Sequence, residues 1–214
     1  MKINWLIINT ELLDEIKKLK SIADVGLLYC TNEYDKERYT ELQNITIRLF
    51  TKVSGRSIEA LQEIFPLVKD YPTAKVDIRG FVLSPDKTKI LLAKESIDGK
   101  WSLPGGWADI GYSRKEIIIK EIKEETGLDV IPEKLIAVFD KRMHAHPPEP
   151  SYVYKMIFYC KAVTSQIHKG FDILDVQYFN ISNLPELSEN RILKSQIGLL
   201  YQKIISSDYE TYFD

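Results

Sequence analysis

The chain has 214 residues, is 44% hydrophobic and 28% charged, and carries a formal net charge of −2. That composition is ordinary for a globular protein and large enough for a sizeable core, and the lack of a basic surplus gives no support to nucleic-acid binding. No stretch approaches the ~18 apolar residues of a membrane span, and the two cysteines, Cys30 and Cys160, lie far apart with no metal-ligand spacing around them, so the reading is a soluble, reduced, cytoplasmic protein.

The chain opens on MKINWLIIN, whose short apolar run is broken by Asn9 and Glu11; it is too short for the apolar segment of a signal peptide. Leu12, Leu13, Ile16 and Leu19 then recur at helical spacing over Glu11 to Ala23, with Gly26 placed to stop the helix. A second helix is predicted from about Glu33 to Val53, on Tyr39, Leu42, Ile45, Leu49 and Val53, and Ser54-Gly55 closes it. A third begins after Ser57, a good N-cap, carries Leu61, Ile64, Phe65 and Val68, and is shortened or bent by Pro66. KDYPTAK, residues 69 to 75, reads as a linker. The expected domains are therefore a helical one over 1–70 and a second over 71–214.

Beyond the linker the period turns strand-like. VDIRGFVLS and KILLAKES flank the turn signal Pro85-Asp86 and predict a hairpin. A strand follows around LIAVFD (135 to 140), then the Pro-rich loop HAHPPEP, the strand YVYKMIFYCKAV, a short strand around Val176 to Phe179, and a closing helix in RILKSQIGLLYQKII. Strands enclosing one helix, with another at the end, predict a layered α+β fold.

The enclosed helix carries the chemistry. In GGWADIGYSRKEIIIKEIKEETGL, Ser113 and Glu116 form a capping box and Gly127 suits the position past the C-terminus. Ile118 and Ile122 should face the core, leaving Glu121, Glu124 and Glu125 as a neighbouring stripe. Like charges at this spacing repel by tenths of a kcal/mol per pair. A hard divalent cation would make the stripe a binding site, and the glycines of LPGGW let a backbone carbonyl approach it.

These residues resemble the box of Nudix hydrolases, G-x5-E-x7-R-E-U-x-E-E-x-G-U, with U a bulky apolar residue. Gly106 matches the first glycine, and Glu121, Ile122, Glu124, Glu125, Gly127 and Leu128 match the tail in register. Trp101, Leu103, Pro104 and Gly105 are similar to the approach. Two positions depart: Tyr112 stands for the first Glu and Lys120 for the Arg. In the family that pair supports the loop and helix, so the departures touch the scaffold and spare the metal cluster; Lys120 can instead reach Glu124, four residues on.

The resemblance implies an α/β/α Nudix sandwich with a mixed sheet, preceded by the small helical domain. It implies Mg²⁺ or Mn²⁺ held by Glu121, Glu124, Glu125 and the Gly106 carbonyl, and hydrolysis of a pyrophosphate joining a nucleoside to another group X. Candidates for the general base are Glu125, Asp172, Asp175 and Glu149. Arg79 is placed either to clamp a substrate phosphate or to snorkel at a strand edge. His144 and His146, two apart in a Pro-rich loop, are poor zinc ligands and are expected to contact substrate or simply to form a surface loop. Trp107, Tyr112, Phe139 and Tyr152 are available to stack on a base or to hold a quaternary ammonium. GLLYCTNEYDKERYTELQNI, YPTAKVDIRG, WSLPGGWADIG and VFDKRMHAHPP resemble the branch with a helical extension, which includes CDP-choline pyrophosphatases. The expected substrate is CDP-choline or a related CDP-alcohol, with ADP-ribose as the alternative and a ligand-sensing protein as the reading from another class. No DNA or membrane partner is expected. The extension is too small to be secure alone, which points to a homodimer.

Overall fold

The computed structural model describes residues 10–66 and 69–214, so the reading of MKINWLIIN and of Val68 lies outside the described residues. The chain forms two compact units: one runs to Ala74 and takes in Pro147–Ser151, and the other comprises Lys75–His146 and Tyr152–Asp214.

The first unit holds α1 (Thr10–Tyr29), α2 (Glu33–Ser54) and α3 (Ile58–Ile64). Gly26 does not stop α1. The helix continues to Tyr29, because the bare Cα at 26 is where α2 comes close: a Cβ there would stand 2.3 Å from the Tyr39 ring. Helix α2 begins on Asn32, whose side chain accepts from the Asp35 N–H, and ends on Gly55 in the left-handed region (φ 66). Ser57 caps α3, which stops before Pro66 as the ring requires. Leu13, Ile16, Phe50 and Leu61 make the core of this unit. A buried Lys20–Asp24 pair at 2.6 Å, extended by Gln43 to Asp24 at 2.8 Å, ties α1 to α2.

The second unit contains β1 (Lys75–Val82), β2 (Lys89–Glu95), β3 (Trp101–Ser102), β4 (Gly105–Trp107), α4 (Arg114–Thr126), β5 (Val130–Asp140), β6 (Val153–Ala162), β7 (Ile173–Asn180), α5 (Lys194–Ile205) and β8 (Tyr212–Phe213). The expected hairpin of β1 and β2 does not form. The two strands share only the Leu83–Ile90 bridge and then part into different sheets, ordered β4-β1-β6-β5-β8 and β3-β2-β7. Both segments are buried on both faces over most of their length, and this conceals which neighbour each will pair with. Strand β1 runs parallel to β6 and antiparallel to β4, so the larger sheet is mixed.

The sheets lie between two helices. Ile117, Ile118 and Ile122 of α4 pack with Ile78 and Val82 of β1, Phe158 of β6 and Leu91 and Ala93 of β2. Ile197, Leu200 and Ile204 of α5 pack with Phe81, Phe139, Ile157, Ile90 and Leu92 on the other side. The result is a helix/sheet/helix sandwich, the architecture implied by the Nudix resemblance. Each fully buried Ile or Leu contributes on the order of 1.5–3 kcal/mol, so the apolar stripe of α4 fixes how that helix is rotated.

Candidate active site

Helix α4 starts as its sequence dictates. The Ser113 Oγ accepts from the Glu116 N–H at 3.3 Å, and the Glu116 carboxylate accepts from the Ser113 N–H at 2.6 Å. Gly127, at φ 74, closes the helix by donating to the Lys123 carbonyl at 2.9 Å. With Ile118 and Ile122 buried, Glu121 and Glu125 meet β4 and Glu124 stays exposed, so each carboxylate has a different environment.

Glu125 is buried and accepts from the Gly105 N–H at 3.0 Å. Gly105 sits at φ +139, and a Cβ there would come within 2.1 Å of the Ile78 carbonyl oxygen, so only glycine presents its N–H in this place. Burial pushes the Glu125 carboxyl up to about 8, against the pull of Arg79 and the Gly105 N–H. Glu121 is half-buried beside Gly106, where a Cβ would stand 2.9 Å from its Oε2; burial raises its carboxyl too. Glu124 is exposed and lies 3.8 Å from the Lys120 ammonium.

The donor set is hard: carboxylate oxygens and the carbonyl-bearing Gly106 strand pressed against Glu121. It fits Mg²⁺ or Mn²⁺, which accept few protein oxygens and keep water and phosphate for the rest. Among the described residues no three His, Cys, Asp or Glu side chains stand close enough together to hold a metal ion by themselves. Burial of Glu125 beside Glu121 is itself unfavourable while both are charged, a cost that a cation offsets.

A network that the sequence reading missed lies behind Glu125. Arg79 is buried in β1, between β4 and β6, and is not at an edge. Its Nε donates to Asp77 at 2.8 Å, and its Nη1 donates to the Ser102 hydroxyl at 3.2 Å and the Leu103 carbonyl at 3.1 Å, with Glu95 at 3.5 Å. The second Asp77 oxygen accepts from the Lys155 ammonium. Burial opposes the Arg79 charge, but Asp77, Glu125 and Glu95 outweigh it and hold the guanidinium above its ordinary value. Burial lowers Lys155 to about 8, and Asp77 works against that. Nε and Nη1 of Arg79 are thus satisfied within the protein. A signal did exist: Asp77 and Arg79 alternate onto one face, and Lys155 stands in an apolar strand.

The two box departures meet. Lys120 lies 5.5 Å from the Tyr112 ring centroid and 3.4 Å from Asp109. Asp109, three residues before Tyr112, supplies the carboxylate to which Lys120 pairs. Trp107 is about half exposed, with Lys75 5.4 Å from its ring.

The other candidates are placed as follows. His144 bonds Asp214 at 2.9 Å and stands edge-on to Phe139. His146 Nδ1 bonds the Glu189 carbonyl at 2.5 Å and so carries the proton; burial lowers this imidazole to about 4, which keeps it neutral. Asp172 is exposed and follows Gly170, whose N–H donates to the Glu125 carbonyl at 3.1 Å, so its loop is tied to the end of α4. Asp175 accepts from Gln177 at 2.7 Å along β7. Glu149 belongs to Pro147–Ser151, which groups with the helical unit. Glu121, Glu125, Gly105 and Gly106 are brought together. No helix among the described residues is long and apolar enough to cross a membrane.

A family model described as a NUDIX domain matches residues 75–197, and one described as a UDP-X-like, N-terminal oligomerisation domain matches residues 10–65. The chain is 37% identical to the putative ADP-ribose pyrophosphatase YjhB of Bacillus subtilis, over 97% of this chain and 99% of that one. Among solved structures it is similar to a UDP-X diphosphatase (31% identity, TM-score 0.61, 97% of this chain and 100% of that one). It is also similar to an ADP-ribose pyrophosphatase from Streptococcus suis (34% identity, TM-score 0.59, 66% of this chain and 100% of that one).

Proposed function

The chain belongs to the Nudix hydrolase family, and from that premise we propose that it cleaves the pyrophosphate of a nucleoside diphosphate linked to a group X in a reaction dependent on Mg²⁺ or Mn²⁺. The observation that carries this reading is the buried Glu125, held by the Gly105 N–H beside Glu121 and Gly106. Glu121, Glu124, Glu125 and the Gly106 carbonyl would hold the metal. A bound metal neutralises phosphate oxygens and lowers the pKa of an attacking water. Gly105 fixes one oxygen of Glu125 and leaves the other for metal or proton. Asp172, on the loop tied to α4, is the second candidate base; Glu149 and Asp175 are weaker ones. Arg79, with its neighbours, sets the charge behind Glu125. Trp107, Tyr112, His144 and His146 are proposed to border the substrate.

Two substrates lead: CDP-choline or a related CDP-alcohol from the motif resemblance, and ADP-ribose, which the name of the Bacillus subtilis relative carries. The helical unit is proposed to pair two copies into a cytoplasmic homodimer, in keeping with the oligomerisation domain it matches. Glu124→Gln and Glu125→Gln, assayed with Mg²⁺ on both substrates, test the metal assignment. The expected result is a loss of about 100-fold or more in turnover. Wild-type turnover in both variants would refute it.

A further inference from the structure

Arg79 Nη1 carries a pair of hydrogens but faces more oxygens than that: the Leu103 carbonyl at 3.1 Å, the Ser102 hydroxyl at 3.2 Å and the Glu95 carboxylate at 3.5 Å. An ionised carboxylate makes a hydrogen bond roughly twice as strong as a neutral oxygen does, so Glu95 should win this competition. It does not, and Arg191 supplies the reason. Arg191 Nε lies 3.0 Å from Glu95 Oε1, the same oxygen that faces Arg79. The side chains of Glu95 and Arg191 are both mostly buried, so water and salt screen this pair only weakly.

Arg191 is itself held in place. Its Nη1 donates to the Ser188 hydroxyl at 3.0 Å and lies 3.6 Å from Asp98, while the Ser188 hydroxyl donates to Asp98 at 2.6 Å. The backbone fixes the same segment. The Trp101 N–H donates to the Glu186 carbonyl at 3.0 Å, and the Ser188 N–H donates to the Trp101 carbonyl at 2.7 Å. Arg191 is thus anchored beside β3, which leads through Leu103-Pro104 into β4. On the other side of Glu95, Arg79 holds that connection. The Leu103 carbonyl accepts from Arg79 and from the Ser102 hydroxyl, and the Pro104 carbonyl accepts from the Gly80 N–H at 2.8 Å. Gly105 lies against Arg79, where a Cβ would stand 2.9 Å from the Arg79 Cα, and gives its N–H to Glu125 at 3.0 Å. The whole path from Arg191 to Glu125 runs within the second unit.

We infer that Arg191 is a positioning residue: by occupying Glu95 it leaves Arg79 on the Leu103–Gly105 turn, and so keeps the Gly105 N–H aimed at Glu125. This rests on the pyrophosphatase reading above, in which Glu125 belongs to the site. Without Arg191, Glu95 closes on Arg79 Nη1, the Leu103 carbonyl loses that donor, and Gly105 loosens. The harm comes from the freed carboxylate and not from the missing guanidinium. Neutralising Glu95 therefore repairs the loss of Arg191. A merely structural tie between the Ser188 segment and β3 would not be repaired in this way.

The test follows amide hydrogen exchange of Gly105 by NMR in metal-free protein, for wild type, Arg191→Met, and Arg191→Met combined with Glu95→Gln. Turnover of ADP-ribose and CDP-choline with Mg²⁺ is measured on the same preparations. In Arg191→Met, Gly105 exchange is expected to rise and kcat to fall by about tenfold each, the scale of one hydrogen bond to a charged group, with KM within about threefold of wild type. Exchange of Ile122, in the core face of α4, should stay within about twofold, which marks the change as local. Adding Glu95→Gln is expected to return Gly105 exchange and kcat to within about threefold of wild type, a coupling that only interacting residues show. Unchanged Gly105 exchange in Arg191→Met, a rise that Ile122 shares, a rise without loss of kcat, or a loss that Glu95→Gln does not reverse overturns the inference and leaves the pyrophosphatase reading intact. Cleavage of neither substrate by wild type overturns the pyrophosphatase reading, while Gly105 exchange still decides whether Arg191 positions that turn.

Discussion

Tyr112 and Lys120 show how a box can lose two of its letters and keep its shape. Lys120 keeps a carboxylate through Asp109 and gains a ring in Tyr112, and it also stands beside Glu124. A cation arriving at Glu124 must displace that ammonium. Lys120→Gln is therefore expected to bind Mn²⁺ more tightly in a direct titration followed by electron paramagnetic resonance; weaker binding would mean that Lys120 positions Glu124 and does not compete for it. His146 gives a pH signature. Its imidazole is lowered from an ordinary 6.5 to about 4, so the fold favours the neutral form. Stability from this residue is present above pH 6.5 and is lost as pH falls toward 4, at most about 3 kcal/mol in all. His146→Gln should flatten acid unfolding over that interval, followed by circular dichroism. At this scale the sequence was legible where structure follows local spacing, as with the Ser113–Glu116 capping box. It was opaque where partners come from distant strands. Asp77 and Lys155 are 78 positions apart, and only the parallel register of β1 with β6 brings them together.

Helix α4 was readable from end to end, because its cap, its apolar stripe and its closing glycine are all local signals. Ser113→Ala should cost about 1 kcal/mol, measured as a drop in unfolding midpoint. Pairing between strands was less readable. β1 and β2 look like a hairpin across Pro85-Asp86, yet each is buried on both faces and joins a different sheet. Gly26 likewise reads as a stop, but serves as the contact for Tyr39. Lys155 ties β6 to β1 through Asp77, and both are buried. Lys155→Met is expected to cost about 3–5 kcal/mol, because a buried carboxylate loses a partner; denaturant unfolding measures it. A cost below about 1 kcal/mol would show that Arg79 alone satisfies Asp77.

For the molecule as a whole, the helical unit's core cluster among the described residues is small, Leu13, Ile16, Phe50 and Leu61, while Leu19, Ile22 and Ile45 remain exposed. Such a unit gains from a second copy. Sedimentation at micromolar concentration is expected to return the mass of a dimer, and a monomer mass would contradict this. The sandwich, the helical extension and the glutamate stripe could all be anticipated from the order of periods and the box. The buried charge network and the cations on the aromatic rings could not, since they depend on tertiary contacts. The most direct measurement is product analysis after incubation of ADP-ribose and CDP-glycerol with wild type and Glu125→Gln, each with Mg²⁺ and with chelator. Wild type is expected to release a nucleoside monophosphate and a phosphorylated X with metal only, and Glu125→Gln almost none. Intact substrates with wild type and metal, or full turnover by Glu125→Gln, would contradict it.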